Sequence, residues 1–225
     1  MDKFKVILIS LMAIICIFII GFKYKKEDND AIKFKKEYES LNETKNKNGK
    51  EYIKVNIDKI NPIVYADYDK VINLIKNDTA VIYFGFPECP WCRNAVPVLL
   101  DTAKELGIEK IYYYNALSIR DKKTLDESGN IVVEEEGTKE YKELVELLYD
   151  YLPVYDGLND ETIKRLYFPT VLFVKNGKII GLHNSTVESQ KNPYDGLNKE
   201  QYEELKTIYY DYLNKTFEIF CDDAC

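Results

Sequence analysis

The chain has 225 residues, 31 Lys and Arg against 38 Asp and Glu, a net charge of −7, five cysteines and a single histidine. An acidic balance of this size leaves no basic face for a nucleic acid. The roughly 175 residues after position 50 are ample for one hydrophobic core.

Lys3 and Lys5 precede an apolar stretch, 6–22, broken only by Ser10 and Gly21, and Lys23, Lys25 and Lys26 come after it. No cleavage site of small residues lies behind that stretch, so it predicts an uncleaved membrane anchor over residues 1–22, with the product secreted if it is cut. Lysines flank both sides and do not set the orientation. An N-terminal apolar signal with so short a leader exports the polypeptide behind it, which places the remaining chain outside the cytoplasm on a single-pass anchor. Residues 23–50 are rich in Lys, Glu, Asp and Asn with a sparse helical pattern (Ile32, Phe34, Tyr38, Leu41), and read as a charged, solvated tether.

A folded domain is expected over 51–225. Tyr52 to Asn56 reads as an edge strand, and Tyr68, Val71, Ile72 and Ile75 stripe a first helix. Val81, Ile82, Tyr83 and Phe84 form a buried strand. Val96, Leu99, Leu100, Ala103 and Leu106 then fall at helical spacing, so Cys89-Pro90-Trp91-Cys92 sits where a strand turns into a helix. Ile108 to Tyr114 is a third buried run, reached by a parallel crossover that puts the cysteines at the carboxyl edge of the strands.

Residues 116–166 form an insertion. Turn residues flank a short Ile-Val-Val piece that predicts a hairpin, and Tyr141, Leu144, Val145, Leu148 and Leu152 define an amphipathic helix. The insertion either caps the sheet or shapes a groove for clients. Tyr-Asp-Gly-Leu-Asn occurs at 155–159 and again at 194–198, each copy reading as a loop into a helix capped by its asparagine, Asn159 or Asn198. Tyr202, Leu205, Tyr209, Tyr212 and Leu213 stripe a final helix. His183, with no base partner nearby in sequence, reads as an ordinary structural residue.

A helix N-terminus favours a thiolate, because its unpaired N–H groups and the macrodipole stabilise negative charge. Cys89 therefore reads as a nucleophile near solvent and Cys92, one turn further in, as the resolving thiol. Pro90 is tolerated in the first helical turn. Arg93 adds a cation nearby and Glu88 opposes ionisation. Cys221 and Cys225 form a second close pair, read as a structural disulfide, with a redox relay to Cys89–Cys92 or a zinc site on all four thiolates as alternatives.

The motif and its surroundings resemble the thioredoxin superfamily. Pro97 stands where that family kinks its active-site helix. Phe168-Pro169-Thr170-Val171-Leu172-Phe173-Val174-Lys175-Asn176-Gly177-Lys178 is similar to its cis-proline loop, strand and turn. The resemblance covers roughly Tyr52 to Thr216. It implies a central mixed sheet flanked by helices, with Pro169 opposite Cys89 and Phe168 offering backbone and an apolar surface to clients. Two departures stand out. Tyr83 occupies the place of the family's buried aspartate, and Tyr113 replaces the accompanying lysine, which leaves Glu88 or water to take the Cys92 proton. In the neighbourhood Phe86-Pro87-Glu88-Cys89-Pro90-Trp91-Cys92-Arg93-Asn94 and in overall plan, the chain also resembles thioredoxin-like accessory proteins of bacteriocin export in Gram-positive bacteria.

These readings imply a thiol–disulfide oxidoreductase. It would act on exported cysteine-containing polypeptides, need no cofactor and no metal, and be served by a membrane or extracellular redox partner. The competing reading is a non-enzymatic binding or assembly module with a static disulfide or metal clamp.

Overall fold

The computed structural model describes residues 29–219. The apolar stretch 6–22 and the pair Cys221 and Cys225 lie outside the described residues. Among the described residues no helix is long and apolar enough to cross a membrane.

The centre is strand β2 (Ala80–Phe84), buried along its whole length. It pairs in parallel with β3 (Ile111–Tyr114), which pairs in parallel with the short edge strand β1 (Ile63–Tyr65). On its other side β2 pairs antiparallel with β6 (Thr170–Lys175), and β6 with β7 (Lys178–Asn184), giving the order β1-β3-β2-β6-β7. Strand alternation sorts the helices. Tyr83 and Tyr113, side by side in register, face helices α3 (Pro90–Glu105) and α5 (Lys199–Phe217). Tyr112 points the other way and meets Lys70 of α2 (Tyr68–Asn77). The result is a mixed sheet flanked by helices, the arrangement expected of a thioredoxin-like fold.

Two expectations about the first third of the chain are corrected. Residues 29–39 are helical (α1), and Ala31, Phe34 and Tyr38 are buried in the core. Phe34 meets Tyr113 edge-on at 5.0 Å and Tyr83 at 6.3 Å. At least residues 29–50 are therefore no free tether. Two aromatics one helical turn apart bury enough area, roughly 1.5–3 kcal/mol each, to dock a segment whose composition is otherwise that of a solvated chain. Tyr52 to Asn56 is not a strand. Val55 and Ile57 are buried, but this stretch is held by side chains: Asn42 exchanges two hydrogen bonds with the Val55 backbone, and Glu39 accepts the Ile57 N–H. Its alternating apolar pattern arises from lying across α1, and β1 takes the sheet edge instead.

The insertion holds a hairpin, β4 (Lys122–Leu125) and β5 (Ile131–Glu135), standing apart from the main sheet. Helix α4 (Lys139–Leu147) comes next, with Tyr141 and Leu144 buried. The repeated pentapeptide does not cap two helices. Asn198 caps α5 in a full capping box with Gln201. Asn159 instead adopts a left-handed conformation (φ 55°), and no helix begins after it. The position three residues on is Thr162, whose N–H and hydroxyl both bond the Asp160 carboxylate, closing a turn that stops helix growth.

Candidate active site

From Phe84 the chain turns through Gly85, Phe86, Pro87 and Glu88 into α3. Cys89 directly precedes the helix in extended conformation, and its sulfur stands in for a capping oxygen, accepting the Cys92 N–H at 3.2 Å. Pro90 is the first helical residue, where its missing N–H costs nothing. Trp91 comes next, half-buried against the core. Pro97, inside α3, cannot donate to the carbonyl of Arg93 four residues back. The Cys89 thiol also reaches the carbonyl of Phe168, at 3.5 Å. Phe168 is joined to Pro169 by a cis peptide bond. Four of the expected site residues, Cys89, Cys92, Phe168 and Pro169, are thus brought together from two distant parts of the chain.

Both cysteines are free thiols. Burial pushes the Cys89 thiol up. Opposing it are the Cys92 thiol, the N–H groups of Cys92 and Trp91, and the Arg120 guanidinium, and together they hold it below its ordinary value. Cys92 is raised well above its ordinary value, first by complete burial and then by the neighbouring sulfur, against the hydroxyl of Tyr83 and the N–H of Phe86. The two environments push a matched pair apart. Of the two, Cys89 is the sulfur that ionises more readily.

Around Cys92 lies a cluster of phenols. The Tyr83 hydroxyl favours the Cys92 thiolate and lies 2.7 Å from the hydroxyl of Tyr38. Tyr113 stacks on Tyr83 with ring centres 5.6 Å apart. The hydroxyls of Tyr113 and, from α5, Tyr209 are buried without a hydrogen-bond partner. Gly85 makes this possible, since any Cβ there would collide with the Tyr83 hydroxyl. Burial raises Tyr38 and Tyr83 well above the ordinary phenol value, so neither is a base near neutral pH; Tyr83 is placed to donate to a developing Cys92 thiolate and Tyr38 to support Tyr83.

Several expectations change. Cys89 is only 5% exposed, and Phe168 is 8% exposed, covered by Phe86 edge-on and by Arg120 over its ring at 4.9 Å. The apolar client surface expected of Phe168 is therefore mostly taken up within the chain. Arg93 is no partner of the thiols. It is buried, and its guanidinium donates to the carbonyls of Ile53, Tyr38 and Pro87 and to the Asn42 side chain, tying the N-terminal segment to α3. Glu88 is exposed, which removes it as a proton acceptor for the fully buried Cys92. His183 bonds the carbonyl of Thr186, and burial lowers its pKa.

Tyr38 and Arg120 were the residues missed. The helical spacing of Phe34 and Tyr38 was a usable signal for the first. Arg120 had none, because only the folded insertion carries it to Phe168.

Among the described residues no three His, Cys, Asp or Glu side chains converge as metal ligands. Cys221 and Cys225, on which the four-thiolate zinc site and the intramolecular relay depend, lie outside the described residues.

No family model and no curated protein matches the chain. Among solved structures it is similar to the X-ray structure of Fasciola hepatica thioredoxin, at 18% identity over 63% of this chain and 89% of that one, with a TM-score of 0.28.

Proposed function

We propose that the protein is a thiol–disulfide oxidoreductase acting on exported cysteine-containing polypeptides, with Cys89 as nucleophile and Cys92 as resolving thiol. The observation that carries this reading is the inequality of the two sulfurs. One caps a helix under converging donors, and the other is sealed behind it with no carboxylate in reach.

The Cys89 thiolate attacks one sulfur of a client disulfide. The client S–S bond breaks, a Cys89–client disulfide forms, and the leaving client thiolate takes up a proton. Cys92 then attacks the Cys89 sulfur, its proton passing to the second client thiolate as that leaves. Two electrons have moved to the client, and the protein ends with a Cys89–Cys92 disulfide. Run in reverse, the same exchanges oxidise a client dithiol. As Cys92 becomes a thiolate, the Tyr83 hydroxyl donates to it, with Tyr38 holding that hydroxyl in place. Pro90 and Trp91 shape the rim, and the backbone of Phe168 beside Pro169 pairs with the bound client.

The apolar stretch 6–22 supports a membrane anchor with the domain outside the cytoplasm. The resemblance to bacteriocin-export accessory proteins supports exported peptides as clients and an extracellular or membrane redox partner. Cys92→Ser is the test. In native membranes this variant accumulates Cys89-linked mixed disulfides, and Cys89→Ser accumulates none. If neither traps a client, the cysteines are inert and the protein is a binding or assembly module.

A further inference from the structure

Arg120 is the first charged residue of the insertion after β3, and it ends over the ring of Phe168, the residue whose backbone meets the reactive sulfur. Its guanidinium lies over the Phe168 ring at 4.9 Å, and the carbonyl of that same Phe168 accepts from Cys89. Among the described residues Arg120 has no ion pair, and its guanidinium donates no hydrogen bond. The nearest acidic side chain in sequence, Asp121, pairs with Lys123 at 2.9 Å instead. A second cation adds to the field. Arg165 stacks on Tyr155 at 4.1 Å, donates to the Asp121 carbonyl at 3.2 Å, and keeps its Nε buried without a partner. Its charge is felt at Arg120. In a chain of net charge −7, these two partly buried guanidiniums share one nearby carboxylate, that of Asp121, which Lys123 already pairs. A half-buried cation that makes no ion pair of its own keeps capacity for an incoming anion.

We propose that Arg120 is a specificity-determining residue that binds a carboxylate of the client next to its reactive cysteine, so that the preferred clients carry Asp or Glu beside that cysteine. This rests on the oxidoreductase reading and narrows its substrate class. The guanidinium fork suits a carboxylate, and Phe168 fixes its plane at the point where the client backbone would pair. Arg120 also favours the Cys89 thiolate itself, so its removal slows reaction with every client. The acidic preference is a separate property, read from the ratio between clients.

The test uses the full-length Cys92→Ser protein and three synthetic peptides, each with one cysteine activated as a thiopyridyl disulfide and flanked by Glu, Gln or Lys. Cys89 attacks the peptide sulfur, the S–S bond breaks, thiopyridone leaves, and a protein–peptide disulfide forms. Release of thiopyridone gives the rate. The Glu peptide is expected to react about threefold to tenfold faster than the Gln peptide and the Lys peptide slower still, with the spread shrinking as salt is added. Arg120→Gln should bring the three rates together, and Arg120→Lys should restore part of the spread. Equal rates in the parent, or a spread unchanged in Arg120→Gln, would overturn the assignment while leaving the oxidoreductase reading intact. No reaction with any peptide would overturn both.

Discussion

The hydroxyl of Tyr38, on α1, lies 2.7 Å from that of Tyr83, on the central strand, and the Tyr83 hydroxyl in turn favours the thiolate of Cys92. A helix from the most charged part of the chain thus supplies the last member of a buried polar chain that ends on a reactive group. Removing one phenol strands the other. Tyr38→Phe should cost about 1–3 kcal/mol of stability, the penalty of an unsatisfied buried hydroxyl. The double variant Tyr38→Phe/Tyr83→Phe should lose less than the sum of the two single variants, measured as a coupling in urea unfolding.

Tyr83→Phe has a kinetic signature as well. Without its donor the Cys92 thiolate forms less readily, and resolution of the mixed disulfide should slow by about tenfold, with little change in how fast Cys89 first attacks. Rapid-quench separation of the two steps checks this. Equal slowing of both would mean that Tyr83 only supports packing.

Cys89 should be alkylated with a pH profile whose midpoint lies below 9.0, the ordinary value that its donors oppose. Cys92, pushed the other way, should stay unreactive through that range. Its reactivity should appear only above 9.0 or on unfolding. Iodoacetamide labelling combined with peptide mass analysis distinguishes the two sulfurs.

His183 links stability to pH. Burial holds its pKa below 6.5, so the folded state resists protonation that the unfolded chain accepts. Between that lowered value and about 6.5 the unfolded state binds more protons. Its contribution is fully present above 6.5 and is lost as pH falls through the folded value. The urea midpoint of the natural protein should therefore drop on going from pH 7 to pH 5 by more than that of His183→Gln.

Phe34→Ala should destabilise the domain by about 3–5 kcal/mol, the range for a fully buried aromatic, detected as a lowered thermal midpoint. A freely solvated tether would tolerate the change within about 0.5 kcal/mol.

The strand, the cysteine pair and α3 were legible because each is written in local periodicity, and Pro169 was legible from its sequence neighbourhood. The features that escaped were tertiary. Composition spoke against α1, because charged residues surround Phe34 and Tyr38, yet those two side chains carry its apolar docking, and Arg93, Tyr65 and Ile57 bond its polar groups. Tyr52 to Asn56 carries strand-like alternation that is spent on packing against α1 rather than on a ladder. The two pentapeptides look equivalent until the residue three places on is compared, Gln201 completing a cap and Thr162 closing a turn. Arg93 stands beside Cys92 in sequence but turns its charge toward backbone carbonyls. Arg120 stands far from it and brings its charge to the site.

The docking of α1 also decides where this protein can be shortened. A version starting at Glu51, the boundary that composition suggests, would discard Phe34 and Tyr38 and uncover the faces of Tyr83 and Tyr113 beside the buried sulfur. Such a fragment would bare sticky aromatic surface and an under-supported thiol, so a soluble, well-behaved version has to be trimmed upstream of residue 29.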